Sequence, residues 1–489
     1  MEENSVALID ERSAGRIFIG NWVRGGNEDC AVIEPATGNE LTRLGLASAL
    51  DVSSACALSA DSQREWAKRP YSERANILLR AAELFKEYEP EIQDWLVKET
   101  GAIRPMAGFQ THAAITISQE AAALAAMPYG EMLRSDQPRL SFSRRLPVGV
   151  VGVIAPFNAP LILSLRAIAP ALALGNGVVL KPDSRTAIAG GVSIVRIFEE
   201  AGLPAGLLGL VTGGVDIGEA LIKDPHVRVI AFTGSTRAGR SVGSLAAQHL
   251  KRAHLELGGN SALIILNDID PEEAASIGAF GSYFHQGQIC MATSRHLVQS
   301  GIAKEYVDRL ATHAANLPIG NPATDEVALG PIIDSHQRDN IHKIVSDSIL
   351  AGANVVAGGT YEGLFYRPTV LENVTIDCPA FVEEIFGPVA PVTVFESIEE
   401  AISMASNTEY GLSLAILTHD LNKALEIAEQ VPSGAIHVND QTVNDEFINP
   451  FGGVGSSGIG RVGGASANLE SFTDIQWVTL RSDLAKYPF

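Results

Sequence analysis

Between Ser72 and Tyr88 the apolar residues Ile77, Ala81, Leu84, Phe85 and Tyr88 recur every three or four positions, which predicts an amphipathic helix. Further along, short runs that are apolar throughout alternate with helical stretches. The runs are VVGVIA at 150–155, GVVLKP at 177–182, VRVIAF at 227–232 and SALIIL at 261–266. Strands apolar on both faces suit the middle of a parallel sheet. Ala187 to Ala201 and Arg237 to Arg252 read as the intervening helices. This βαβ rhythm predicts a doubly wound α/β fold. A second series follows: RHLVQ at 295–299, PVTVF at 391–395, LSLAIL at 412–417 and GAIHVN at 434–439. Two α/β domains are therefore expected, meeting near Glu256 to Asn260. Val148 to Leu165 carries no charge, but Pro156, Pro160 and Pro170 interrupt the region. It reads as a buried strand, a polar-tipped loop at Phe157-Asn158 and a buried helix, not as a membrane span.

Composition narrows the function. A chain of 489 residues is too long for one ordinary core and implies two or three domains. Its hydrophobic fraction of 46% and mean hydropathy of +0.14 allow large buried cores. Lys plus Arg number 36 against 57 Asp plus Glu, a net charge of −21. That balance disfavours nucleic acid and anionic membranes as partners, yet leaves room for a small anionic cofactor in a local basic pocket. The four cysteines, Cys30, Cys56, Cys290 and Cys378, form no CxxC pair, so no metal site or redox dithiol is expected. Few thiols in a long chain fit a reducing cytoplasm. The N-terminal stretch MEENSVALIDERSAGR has no apolar core and does not read as a signal peptide.

Five segments have residues that could do chemistry. AFTGSTRAGRS at 231–241 reads as a strand end, a turn and a helix start; a helix N-terminus suits a pyrophosphate, and Gly234 and Gly239 permit close approach. An ordinary strand–turn–helix junction explains the segment equally well. A P-loop does not, because Arg240 stands where its lysine belongs. Lys181, in VLKPDS at 179–184, ends a buried strand where open α/β sheets bind ligands; a lysine merely reaching solvent is the plain alternative. Cys290, in FHQGQICMATSR at 284–295, lies among Gln286, Gly287 and Gln288 near a turn, where a thiol is expected to be partly exposed and readily ionised. Cys30, Cys56 and Cys378 read as small buried hydrophobes. Glu256 stands between Leu255 and Leu257 in HLELGGN at 254–260, a setting for a carboxyl with a raised pKa acting as a base, or for a cap on backbone N–H groups. EEIFGPV at 383–389 joins an acid, an aromatic and a Gly-Pro turn.

Taken together and in order, APFN at 155–158, KP at 181–182, FTGS at 232–235, ELGG at 256–259, GQIC at 287–290 and EIFGP at 384–388 resemble the aldehyde dehydrogenase superfamily from about Asn21 to the C-terminus. HQGQICM and the ending YPF look most like the benzaldehyde and related aromatic aldehyde dehydrogenases. The resemblance implies Cys290 as nucleophile, Glu256 as general base and Asn158 as oxyanion donor. It implies cofactor contacts at Pro156, Phe157, Lys181, Ser184, Gly234, Ser235, Gly239, Leu257, Glu384 and Phe386, with NAD or NADP as cofactor and no metal. It implies a Rossmann-like cofactor domain at 1–128 and 148–256, a catalytic domain at 257–455, and a small β oligomerisation element at 129–147 and 471–489. A cytoplasmic homodimer or homotetramer acting on a small aldehyde is expected.

Two positions depart from the family pattern. Ser184 stands where many members have an acid, and Ser466 where some have a second glutamate assisting the base; Glu470 is near it in sequence. The alternatives to an aromatic substrate are an aliphatic or semialdehyde, which a basic residue at the pocket mouth favours, acyl transfer to coenzyme A, which usually goes with loss of the general base, and a non-catalytic structural homologue.

Overall fold

The computed structural model describes residues 7–489. The first residues of the N-terminal stretch judged above not to be a leader lie outside it. Two sheets dominate. The first has eight strands in the order Trp22–Val23, Ile17–Phe18, Leu208–Leu210, Gly177–Lys181, Val150–Ile154, Val227–Thr233, Arg252–Glu256 and Gly458–Ile459. The five strands from Leu208–Leu210 to Arg252–Glu256 are parallel, and those outside them pair antiparallel. The second sheet has seven, Asn354–Ala357, Thr369–Glu372, Val389–Phe395, Thr293–Gln299, Ser261–Ile265, Ser413–Leu417 and Ala435–Val438, all parallel except the first. The expected α/β architecture is therefore present. Val150–Ile154 and Ser261–Ile265 are buried at every position, as their unbroken apolar runs require. After Val150–Ile154 the chain adds Gly177–Lys181 and Leu208–Leu210 on one side, then Val227–Thr233 on the other. That reversal is the switch point at which open α/β sheets form a ligand crevice.

The helix predicted from Ser72 runs Tyr71–Glu87. Two other helices differ from expectation. Ala187 to Ala201 is not one regular helix but a π-type turn, Ile188–Val192, followed by an α-helix, Ser193–Glu200. The buried Glu99 carboxylate accepts the Ile188 and Ala189 N–H groups, and Gly190 packs against Pro160 so closely that a Cβ would lie 2.5 Å from its ring. The second helix stops at Gln248, not Arg252. Leu250 adopts a left-handed conformation that reverses the chain, and Arg252 begins the next strand opposite Val229.

A third, small sheet stands apart: Leu140–Pro147 pairs antiparallel with Gly130–Met132 and with Thr473–Leu480. It leaves Met132, Ile475, Trp477 and Leu480 exposed. No helix among the described residues is long and apolar enough to cross a membrane.

Candidate active site

The carboxyl ends of the first sheet face the amino ends of the second. From the first come the loop after Ile154, Lys181, the turn after Thr233 and Glu256. From the second come Gly258 to Asn260, Cys290 and Glu384 to Gly387, each just before a strand. The chain passes directly from one sheet to the other at 257–260, between the strands Arg252–Glu256 and Ser261–Ile265.

Cys290 follows three successive left-handed residues, His285, Gln286 and Gly287, with φ of 51°, 57° and 66°. Such a run is unfavourable for the two non-glycine residues and persists only where surroundings hold it. The His285 ring contacts the Asn158 carbonyl at 2.6 Å. Gln286 donates to the Gly101 and Pro331 carbonyls, and Gln288 accepts from the Ile333 N–H at 3.1 Å. The buried Asn158 amide donates to the Gln288 carbonyl at 2.8 Å. An amide has two N–H groups, so one remains for an oxyanion.

Burial raises the Glu256 carboxyl to about 8; Asp445 adds to the rise, and Arg166 and Arg461 oppose it. Neither carboxylate oxygen has a hydrogen-bond partner, so the residue is not a backbone cap. Cys290 corrects an expectation. The residue as a whole is half-buried, but burial of the thiol pushes it up to about 12, Glu384, Glu256 and Asp445 add to the rise, and Arg166 opposes it. The polar neighbours that suggested easy ionisation turn away to fix the backbone. Of the other cysteines, Cys56 and Cys378 are buried, while Cys30 is only half-buried in a two-stranded hairpin.

Arg166 is the residue that sequence reasoning missed at the reacting centre. It projects from the helix Pro160–Ala173, is ion-paired with Asp445, and lies 5.7 Å from the Phe447 ring and 4.9 Å from that of Phe451. Phe109 packs against Phe447, tilted at 44° with ring centres 5.6 Å apart. Its one sequence-level signal was its position, the single charge in a helix whose only other polar side chain is Ser164.

The crevice at the switch point fits a dinucleotide. Lys181 is largely buried, which lowers its pKa, and its ammonium has only the Pro182 carbonyl at 3.3 Å, leaving donors for a ligand. Ser184 donates to the Gly213 carbonyl. Ser235 caps the helix Thr236–Gln248, whose N-terminus opens on the crevice. Gly234 donates its N–H to the Glu256 carbonyl. Gly239 donates to the Ser235 carbonyl, and the close approach it permits is to the Leu257 side chain. Leu257 itself donates to the Ser457 carbonyl. Glu384, raised to about 7 by burial, accepts from the Gly259 N–H. Phe157, next to Pro156, meets Phe386 edge-on at 5.9 Å, and Phe386 is held at φ 53° with its carbonyl bonded by Gln337. Arg185, also missed, stacks 4.3 Å from the Phe157 ring and bridges Asp183 to Asp334 across the crevice. Glu470 is exposed and pairs with Arg145. No three His, Cys, Asp or Glu among the described residues are grouped to hold a metal.

The sequence model of the aldehyde dehydrogenase family matches residues 22–478. A vanillin dehydrogenase from Amycolatopsis is 59% identical, over 99% of both chains. A benzaldehyde dehydrogenase (NAD+) from Pseudomonas putida is 46% identical, over 97% of this chain and 98% of its own. Among solved structures, a salicylaldehyde dehydrogenase from Pseudomonas putida G7 complexed with salicylaldehyde superposes with a TM-score of 0.94 at 35% identity, covering 97% of this chain and 99% of its own.

Proposed function

The chain belongs to the aldehyde dehydrogenase family, and on that premise we propose that it oxidises an aromatic, benzaldehyde-like aldehyde to its carboxylic acid with NAD or NADP. The Cys290 sulfur, once ionised, bonds to the aldehyde carbon. The oxygen then carries the charge and receives hydrogen bonds from the Asn158 amide and the Cys290 backbone N–H. The oxidised cofactor, when bound, supplies the hydride acceptor. What remains on Cys290 is a thioester, and covalent catalysis thereby separates oxidation from hydrolysis. Glu256 takes a proton from water, the water oxygen bonds to the acyl carbon, and the carbon–sulfur bond breaks to release the acid. Lys181 and Ser184 bind the adenosine ribose, Gly234, Ser235 and Gly239 shape the pyrophosphate turn, and Pro156, Phe157, Leu257, Glu384 and Phe386 line the crevice toward the nicotinamide.

The observation that carries the aromatic reading is the ring cluster Phe109, Phe447 and Phe451 around Arg166, whose charge is engaged by Asp445. A carboxylate-bearing semialdehyde needs a free cation, and this one is already paired. An intact, unpartnered Glu256 speaks against acyl transfer to coenzyme A, and the whole set against a non-catalytic homologue. Residues 1–128 and 148–256 are read as the cofactor domain and 257–455 as the catalytic one. The exposed apolar residues on the small sheet support 129–147 and 471–489 as the contact of a homodimer or homotetramer. A cytoplasmic location fits the free thiols. NADH formation with substituted benzaldehydes, succinic semialdehyde and alkanals tests the substrate class. The highest kcat/KM is expected for the benzaldehydes; a higher value for succinic semialdehyde overturns the aromatic reading.

A further inference from the structure

His254 and Glu256 are two residues apart on one strand, so their side chains leave the same face of the sheet. Both line a cavity of about 20 Å3, shared with Arg166, Thr233, Val153 and Val462. That is room for one water. Both Glu256 oxygens and the His254 Nε2 are buried without a protein partner. Buried polar atoms are rarely left so, and three unmatched polar atoms at a water-sized cavity whose other walls are mainly apolar call for a water between them.

The other side of the imidazole is accounted for. Nδ1 faces the Ser471 Oγ at 3.4 Å, and that hydroxyl donates its own hydrogen to the Arg461 carbonyl at 3.1 Å. The ring proton therefore belongs on Nδ1, and Nε2 is an acceptor. Gly460 lies flat against the ring, where a Cβ would come 2.5 Å from Nδ1, and Phe472 packs at 6.3 Å. His254 also borders a groove at the surface, formed with Arg145, Arg252, Glu470 and Asp474.

We propose that His254 carries the proton Glu256 takes from the hydrolytic water out to this groove, through one water in the cavity. Protonated Glu256 gives its proton to that water, which gives one of its own to Nε2. Nδ1 releases its proton past Ser471 to the groove, and the ring then resets. Glu256 returns to the carboxylate, and no positive charge stays on the ring. The proposal rests on Glu256 being the general base. Burial first, then the positive charge of Arg252, hold the imidazole down to about 4 against the Ser471 backbone. The other charged groups around the cavity are Arg166, Arg461, Asp445 and Glu256 itself. At rest the ring is neutral, as a transient carrier must be. Glu470, paired with Arg145, stands at the outer end of this route.

His254→Asn keeps an amide N–H where Nδ1 meets Ser471 but has no second nitrogen to pass a proton on. In rapid mixing with benzaldehyde and NAD, the NADH burst should keep its rate and amplitude. Steady-state turnover should fall about tenfold or more, as for loss of a proton-transfer group, and added imidazole should restore it in His254→Ala. Turnover of His254→Asn within about twofold of wild type overturns the proposal. So does a slowed burst with no imidazole rescue, the mark of a structural role. The two ideas fail differently: normal deacylation in Glu256→Gln sinks the general-base reading itself, whatever His254 does.

Discussion

If Glu256 is the general base proposed above, its raised carboxyl should set the pH dependence of deacylation, and Glu256→Gln is the perturbation that exposes it. A carboxyl at about 8 instead of 4.5 is roughly 5 kcal/mol harder to ionise in the fold than in the unfolded chain, at about 1.36 kcal/mol per pH unit. At pH 7 only about one molecule in ten holds the carboxylate that accepts a proton from water. Deacylation should therefore rise about tenfold from pH 6 to 7, still steeply to 8, and then level. In Glu256→Gln the NADH burst should survive, steady-state turnover should drop by two or more powers of ten, and the pH rise should vanish. Stability gives a second, independent reading. Below pH 4.5 the carboxyl is protonated in both states. Between 4.5 and about 8 the unfolded chain ionises while the fold holds its proton, so this group's contribution is lost as pH rises. Glu256→Gln lacks that slope, so its melting temperature should gain on wild type from pH 5 to 8. A deacylation rate flat from pH 6 to 9, together with a constant stability gap, would refute the reasoning.

Cys290→Ala should abolish both aldehyde oxidation and ester hydrolysis; turnover within about tenfold of wild type would rule out the nucleophile, whose loss costs many kcal/mol of barrier lowering. Asn158→Ala should lower kcat by roughly two to three powers of ten, as for a lost oxyanion donor, with cofactor Kd nearly unchanged. NADP should be accepted usefully beside NAD, because Ser184 offers no charge against a 2′-phosphate and Asp183, one residue earlier, is engaged by Arg185 at 2.7 Å. The kcat/KM ratio measures this. A preference for NAD beyond about a thousandfold, near 4 kcal/mol, contradicts it, and Ser184→Glu should sharpen the preference against NADP.

Strands were the most legible part of the fold, because residues such as Val150–Ile154 are buried on both faces and leave an unbroken apolar run. Features set by distant partners were not. The π-type turn at Ile188 depends on Glu99, and nothing local announces it. The motifs pointed to Cys290, Glu256 and Asn158, but the ionisation of Cys290 was misread from its neighbours. Gln286 and Gln288 look outward to Gly101, Pro331 and Ile333, while Glu384, Glu256 and Asp445 supply the field. Arg166 and His254 were present in the sequence as a charge in an apolar helix and a polar residue in a strand, and only the packing gives them neighbours.

The left-handed run before Cys290 ties heat resistance to the contact between the two halves of the molecule. His285 leans on Asn158, beyond the first sheet, and Gln286 on Gly101, in a helical layer far back in the chain. If those anchors part by local breathing, the backbone relaxes toward ordinary angles, releasing about 1–3 kcal/mol per strained residue, and the sulfur leaves its position while both sheets stay intact. Heat inactivation should then run ahead of unfolding, with activity fading while circular dichroism is unchanged. Bound cofactor, seated in the crevice between the halves, should bring the two curves together.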